Sequence, residues 1–196
     1  MGSKVWDRGK SDMDTIVIYR FLLSFMVILI SIVSLAGCDT RQGVKIGDNP
    51  PAISGADIHG NFVSLNQYKG KVVIIFFWTN SCCGDRVILL EPFYQKNKDK
   101  GLSLLAVNVG DSKEIVESYT KSNSLSFTFK TDEHAMTSTQ YGVIGFPTTF
   151  ILDRNGIVRE KILGDIQPEK LQALVARQFK IQRDIEENYE KIHRRY

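Results

Sequence analysis

The 196-residue chain is poor in the residues that build metal centres and disulfide frameworks. It has three cysteines and three histidines, and His59, His134 and His193 are scattered along the sequence. We therefore predict no metal site and no cofactor, and the cysteines are too few for a conventional set of structural disulfides. A strong excess of one charge is also missing: the net charge is +3, with basic residues interspersed among acidic ones. This balance argues against a nucleic-acid partner.

Charged residues are absent from residues 21–36, an apolar run that only serines interrupt and that basic residues precede. A basic flank, an apolar run and small residues at its end are typical of a secretory signal. The segment Leu35-Ala36-Gly37-Cys38 resembles the lipobox of bacterial lipoproteins, which are cleaved before the cysteine and carry lipid on it.

This pattern predicts a signal peptide over residues 1–37, lipidation of Cys38 and anchoring of the protein to the membrane through that lipid. The rest of the chain is then extracytoplasmic, on the periplasmic side of the inner membrane. An uncleaved transmembrane anchor is the alternative, since about 20 apolar residues span a bilayer. The sequence leaves open whether Met1 or Met13 is the start.

Three segments follow the signal. Residues 38–49 are polar and aperiodic, as in a linker; residues 50–179 predict one domain, and residues 180–196 an extended charged C-terminal helix or tail. Within the domain, apolar runs and turn residues predict alternating strands and helices. The predicted strands are Val72–Phe77, Leu102–Val109, Phe127–Lys130, Thr148–Leu152 and Ile157–Leu163, and the predicted helices are Cys83–Lys98, Ser112–Ser122, Met136–Tyr141 and one beginning at Gln167. This order predicts an α/β fold with a central mixed β-sheet flanked by helices on both faces.

The ordered segments "KGKVVIIFFW", "KDKGLSLLAVNVGDSKEIVESY" and "YGVIGFPTTFILDRNG" resemble the thioredoxin-like thiol-disulfide oxidoreductases of the TlpA/ResA type, in the AhpC/TSA redoxin family. The similarity covers residues 45–179 and implies a thioredoxin-like fold. In that family the proline matched by Pro147 is cis and faces the active cysteine. The resemblance therefore implies a substrate groove formed by Pro147 with Phe146, Thr148 and Trp78.

The family also carries Trp-x-x-x-Cys-x-x-Cys after its central strand, with the first cysteine at a helix N-terminus. Backbone N–H groups and the helix dipole stabilise a thiolate there, and the thiolate is the nucleophile. The spacing from Trp78 to Cys82 matches this pattern. The resemblance therefore implies that Cys82 is the nucleophile and that the catalytic pair is Cys82 with Cys83.

The second cysteine position departs from the family. Counted forward from Cys82, the resolving position falls on Asp85; counted backward from Gly101, it falls on Cys83. We prefer the forward count, because the strand-to-helix junction fixes Cys82. Adjacent Cα atoms lie about 3.8 Å apart, whereas disulfides have Cα separations of about 4.4 to 6.8 Å, so a stable Cys82–Cys83 bond is disfavoured and a transient one remains open.

Two residues beside the cysteines are candidate modulators. Asp85 is either an ordinary first-turn acid or a carboxylate that raises the pKa of the neighbouring thiol, and Arg86 is a candidate stabiliser of a thiolate. The glutamate that ResA-like proteins carry after the second cysteine is replaced by Ile88 or Arg86, depending on the count.

These features predict a membrane-tethered thiol-disulfide oxidoreductase that acts on protein thiols and disulfides outside the cytoplasm, with exported proteins awaiting haem attachment among the substrates that the resemblance implies. One alternative is a redox-inactive binding or chaperone-like module. Another is peroxide reduction by Cys82, because Thr79-x-x-Cys82 resembles the peroxiredoxin motif, although Phe76 replaces its proline.

Overall fold

The computed structural model describes residues 18–27 and 43–194. The chain divides into two units, residues 1–40 and 41–196, and the described part of the first is helical. The predicted signal, the lipobox and Cys38 otherwise lie outside the described residues. Within the two described ranges, no helix combines the length and the apolar character needed to cross a membrane.

The second unit contains seven strands and four α-helices within residues 43–194. In chain order they are β1 Ser54–Ala56, β2 Phe62–Ser64, β3 Val72–Trp78, α1 Asn80–Asn97, β4 Leu102–Val109, α2 Lys113–Ser122, β5 Thr128–Asp132, α3 Met136–Gln140, β6 Thr148–Leu152, β7 Val158–Leu163 and α4 Pro168–His193. Short 3-10 turns follow β2 and α1. The predicted strands and helices are thus present, with ends displaced by a few residues.

Five of the strands form a mixed sheet in the order β5-β4-β3-β6-β7. Strand β3 is parallel to β4 and antiparallel to β6, and β6 forms an antiparallel hairpin with β7. All seven residues of β3 are buried, which explains its uninterrupted apolar sequence. The edge strand β7 instead exposes Arg159, Lys161 and Leu163, and charged residues on an edge discourage pairing with other chains.

Successive residues of β3 contribute to two hydrophobic clusters on opposite faces of the sheet. Ile74, Phe76 and Trp78 pack with residues of α1, α2 and α4. Ile75 and Phe77 pack with residues of the β1–β2 hairpin, the following 3-10 turn and Tyr141 at the end of α3. The mixed sheet flanked by helices is confirmed, and on the second face the helical cover is short.

Helix α1 begins earlier than the sequence suggests. Its first residue is Asn80, three positions before the expected start at Cys83, and the backbone at Cys83 leaves helical values with φ −142° and ψ 24°. The physical reason is a distant acceptor: the Asn80 amide donates to an Asp111 carboxylate oxygen at 3.0 Å and stabilises an extra first turn. The main body of α1 then starts at Gly84, immediately after Cys83.

Helix α4 runs without interruption to His193, through the predicted boundary between residues 179 and 180. Its first half is anchored by buried Leu171 and Val175. Its second half still reaches the domain, because Glu186 pairs with Arg154 at 3.4 Å. That boundary between domain and tail stays a prediction.

Two backbone segments cross closely where the second unit begins. A Cβ on Gly43 would lie 2.3 Å from the Cα of Gly142, and the Val44 amide donates to the Tyr141 carbonyl at 3.2 Å. Only a residue without a side chain fits at this position, because the atoms that it meets belong to backbone.

We expect Gly43→Ala to lower the free energy of unfolding by about 1–3 kcal/mol, the usual cost of forcing extra volume into packed structure. The matched control is Gly145→Ala, whose Cβ would meet only the end of the Leu163 side chain, at 3.2 Å. Urea denaturation of both variants measures the difference. Equal stabilities would show that the crossing is not tightly packed.

Candidate functional site

The register of β3 determines which loops surround its carboxyl end. Trp78 pairs with Asn108 of β4, and Phe77 pairs with Thr148 of β6. The loop after β4 and the loop before β6 therefore lie on either side of the turn that leads into α1. Trp78 is fully buried, and its ring lies 5.3 Å from the ring of Tyr119.

A carboxylate from the loop after β4 caps α1. Asp111 Oδ2 accepts hydrogen bonds from the Asn80 amide at 3.0 Å and from the side-chain amide of buried Asn108 at 2.9 Å. Thr79, the residue at the N-cap position, makes no side-chain capping bond. Asp111 thus replaces a local cap and joins β4 to the start of the helix that carries the cysteines.

The two cysteines lie together but in different environments. Both are free thiols, with Cys82 exposed and Cys83 buried, and their Sγ atoms are 3.0 Å apart. The Cys83 Sγ also lies 3.5 Å from the Thr79 amide nitrogen and from its carbonyl oxygen. Only Cys82 is therefore presented to a partner, with the second thiol directly behind it.

The pKa of the Cys83 thiol is raised from the ordinary 9.0 to about 11. Burial is the main cause, and the hydrogen bond shared with Cys82 contributes to the same increase. A thiolate is poorly solvated in an apolar surrounding, so the neutral form is favoured. At neutral pH Cys83 is a thiol with a proton to donate, and the nearest sulfur that can accept it belongs to Cys82.

Gly84 and Asp85 have a neighbour that the sequence did not reveal. A Cβ on Gly84 would lie 3.1 Å from the Tyr119 hydroxyl and 3.3 Å from Asn80 Oδ1, so glycine allows α2 to pack against the start of α1. Burial raises the pKa of Tyr119, and the charge of exposed Asp85 adds to this. Asp85 therefore acts electrostatically on the tyrosine from an exposed position.

Pro147 immediately precedes β6, the strand that pairs with the end of β3. The Phe146–Pro147 peptide bond is cis. Thr148 is buried, and its hydroxyl donates to the Gly145 carbonyl at 2.6 Å, while half-buried Phe146 packs against both hydrophobic clusters. Phe146, Pro147 and Thr148 therefore form one short segment beside β3. The fourth predicted groove residue, Trp78, is the last residue of β3.

Arg86 and Pro147 line the same cavity, of about 330 Å³, between α1 and the start of α4. Its walls include Phe76, Leu90 and Phe93. Arg86 Nε pairs with Asp165 Oδ2 at 2.8 Å, a contact not foreseen from the sequence. The Arg86 guanidinium is therefore paired with Asp165 at the rim of this cavity. Its role as a stabiliser of the thiolate stays a prediction.

Glu91 lies near the position of the missing family glutamate in sequence, but its carboxylate binds another loop. Glu91 accepts hydrogen bonds from the Ser126 amide at 2.9 Å and hydroxyl at 2.6 Å, which lowers the pKa of its carboxyl against the opposing effect of burial. Among residues 18–27 and 43–194, no group of three or more histidine, cysteine or acidic side chains is arranged to hold a metal ion.

The raised pKa predicts how Cys83 reacts with alkylating reagents. In a Cys38→Ser/Cys82→Ser chain, we expect the rate with iodoacetamide to keep rising with pH beyond 10, because burial, the main cause of the shift, is still present. About one hundredth of the ordinary thiolate fraction should be present near pH 8, since two pKa units correspond to a hundredfold change.

The matched control is the Cys38→Ser/Cys83→Ser chain, in which exposed Cys82 is the remaining thiol, and the alkylation rates of both chains are followed by mass spectrometry. Circular dichroism at each pH verifies that the chains stay folded. A plateau at or below pH 9 for Cys83 would contradict the assigned environment.

Comparison with known proteins agrees with this geometry. The AhpC/TSA family model matches residues 46–161. A thiol-disulfide oxidoreductase ResA from Bacillus cereus is 31% identical over 160 residues, covering 76% of this chain and 92% of the relative, and ResA from Geobacillus thermodenitrificans is 32% identical over 133 residues, covering 67% and 76%.

Solved structures agree as well. The thioredoxin domain of a thiol-disulfide oxidoreductase from Bacteroides vulgatus superimposes with a TM-score of 0.61 at 26% identity, covering 69% of this chain and 98% of that one. A thiol:disulfide interchange protein from a Bacteroides species gives a TM-score of 0.60 at 27% identity, covering 68% and 90%. The chain therefore belongs to the AhpC/TSA family and, within it, to the thioredoxin-like thiol-disulfide oxidoreductases of the TlpA/ResA type.

Proposed function

We propose that the protein is a membrane-tethered, extracytoplasmic thiol-disulfide oxidoreductase in which Cys82 attacks disulfides of exported proteins. The observation that carries the proposal is the placement of an exposed Cys82 in the first turn of α1, with a buried thiol 3.0 Å away. The first turn of a helix carries the positive end of the helix dipole, which favours a thiolate.

The first step is an exchange of one disulfide for another. The Cys82 thiolate attacks one sulfur of the partner disulfide, the partner S–S bond breaks, and the other partner sulfur leaves as a thiolate that takes up a proton. A mixed disulfide between Cys82 and the partner results. Pro147, Phe146 and Thr148 form the segment proposed to lie along the partner chain beside Cys82. Trp78 is fully buried, so its proposed contribution to the groove is to pack the end of β3 and not to touch the partner.

Cys83 supports this step as a hydrogen-bond donor. Its pKa of about 11 keeps it protonated at neutral pH, and a proton shared across 3.0 Å stabilises negative charge on the Cys82 sulfur. Attack by Cys83 on the mixed disulfide would need its thiolate and would create a bond between adjacent residues, whose Cα separation of about 3.8 Å is below the usual disulfide range. We therefore propose that a thiol of the partner, or a small external thiol, releases the mixed disulfide.

The role of Cys82 is tested by insulin reduction with dithiothreitol and by capture of a peptide disulfide. Cys82→Ser should reduce turnover at least about 100-fold, because the attacking sulfur is lost. Ser81→Ala, an exposed change beside it, should leave turnover unchanged. Turnover by Cys82→Ser equal to that of the parent would remove the enzymatic proposal, and peptide binding that persists without either cysteine would favour a redox-inactive binding module.

The fate of the mixed disulfide separates the two possible roles of Cys83. We expect the parent and Cys83→Ser to accumulate the peptide adduct to similar levels, since a serine hydroxyl still donates to the Cys82 sulfur, whereas Cys83→Ala should form it more slowly. An adduct that accumulates only in Cys83→Ser would show that Cys83 resolves the mixed disulfide after all.

The proposed location rests on the N-terminal sequence, where an apolar run leads to Leu35-Ala36-Gly37-Cys38, together with the similarity to ResA proteins. Lipid on Cys38 would tether the domain to the membrane surface through residues 38–49. Exported proteins that must present reduced cysteines for haem attachment are the substrate class that the ResA resemblance suggests.

Metabolic labelling with a fatty acid tests the tether in bacterial cells. We expect label in the parent and in Cys82→Ser, and none in Cys38→Ser, because the thiol of Cys38 is the proposed acceptor. If the parent carries no label and its intact mass shows that the apolar segment is still present, the segment is an uncleaved anchor.

A further inference from the structure

Adjacent thiols held at contact distance form a chelating site as well as a redox site. We propose that Cys82 and Cys83 bind compounds of trivalent arsenic, with both sulfurs attached to one arsenic atom. This binding goes beyond the proposed exchange of disulfides and does not depend on it, because it needs neither a partner protein nor a change of oxidation state.

The geometry favours a bridging atom over a direct bond between the sulfurs. The Sγ atoms lie 3.0 Å apart on neighbouring residues, whose Cα separation of about 3.8 Å is short for a disulfide. One arsenic atom inserted between the sulfurs enlarges the ring by an atom and leaves the sulfurs separated. The dithiol is therefore better suited to chelation than to internal oxidation.

The environment of Cys83 selects the class of ligand. Cys83 is 3% exposed. A divalent cation would have to displace the proton of its thiol and bind a buried thiolate, which burial opposes. A trivalent arsenic centre with two hydroxyl groups avoids this charge. Each hydroxyl leaves with a thiol proton as water, so two As–O and two S–H bonds break while two As–S bonds and two waters form, and nothing is oxidised or reduced.

The number of donors in the described part of the chain also fits. Within residues 18–27 and 43–194, no third histidine, cysteine or acidic side chain is grouped with Cys82 and Cys83 as a metal ligand would be, so this part of the chain offers the centre two sulfurs. Trivalent arsenic takes its third bond from a substituent that it already carries. Exposed Cys82 accepts the first bond, and Cys83, directly behind it, closes the ring.

Phenylarsine oxide is the probe for the test, because its arsenic offers two exchangeable positions and carries a phenyl group as the third substituent. The full-length chain with Cys38→Ser is used after reduction, so that Cys82 and Cys83 are its only cysteines. We expect one phenylarsenic per chain by intact mass, loss of both thiols to a thiol reagent, resistance to excess 2-mercaptoethanol and release by 2,3-dimercaptopropanol.

Cys82→Ser and Cys83→Ser, each in the same background, should both weaken binding at least about 100-fold, because a single attachment replaces two. Ser81→Ala is the matched control and should bind as the parent does. Thermal unfolding verifies that each variant is folded. Binding in either single-cysteine chain as tight as in the parent, or removal of the parent adduct by 2-mercaptoethanol, would overturn the proposal.

Discussion

The register of β3 between a parallel and an antiparallel neighbour is the constraint on which the site depends. Its pairing with β4 brings Asn108 level with Trp78, and its pairing with β6 brings Thr148 level with Phe77. A shift of one residue along either pair would turn buried side chains to the opposite face. Because seven consecutive residues of β3 are buried on both faces, such a shift would bring the wrong side chains into both hydrophobic clusters. The positions of the loops around the cysteines are therefore determined by packing within the sheet, away from the cysteines themselves.

The contrast between the two cysteines follows from helix geometry and one irregular residue. Successive helical residues point about 100° apart around the axis, so two adjacent cysteines in the first turn cannot share one orientation. The departure of Cys83 from helical dihedral angles turns its thiol back toward Thr79 and into the core, while Cys82 stays at the surface. Adjacent cysteines therefore form an inner and an outer thiol, the division that a nucleophile with a supporting donor requires.

Much of this arrangement is predictable from local sequence. The uninterrupted apolar run of β3 and the order of strands and helices are local signals, and the structure confirms both. The sequence did not reveal three contacts that α1 makes, because the two partners in each contact are separated by 31 to 79 positions in the chain. The partners of α1 in these contacts are Asp111, Tyr119 and Asp165. The early start of α1 was missed for the same reason, since its cap is Asp111 and not a neighbouring side chain. Sequence patterns describe periodicity, whereas these contacts depend on which loops the sheet brings together.

The crossing of Gly43 and Gly142 has a mechanical consequence. Gly43 lies where the chain enters the domain, and Gly142 lies five residues before Pro147. The Val44 amide also donates to the carbonyl of Tyr141, which precedes Gly142. Tension applied along the N-terminal segment would first load this crossing, which lies on the loop that leads to Pro147.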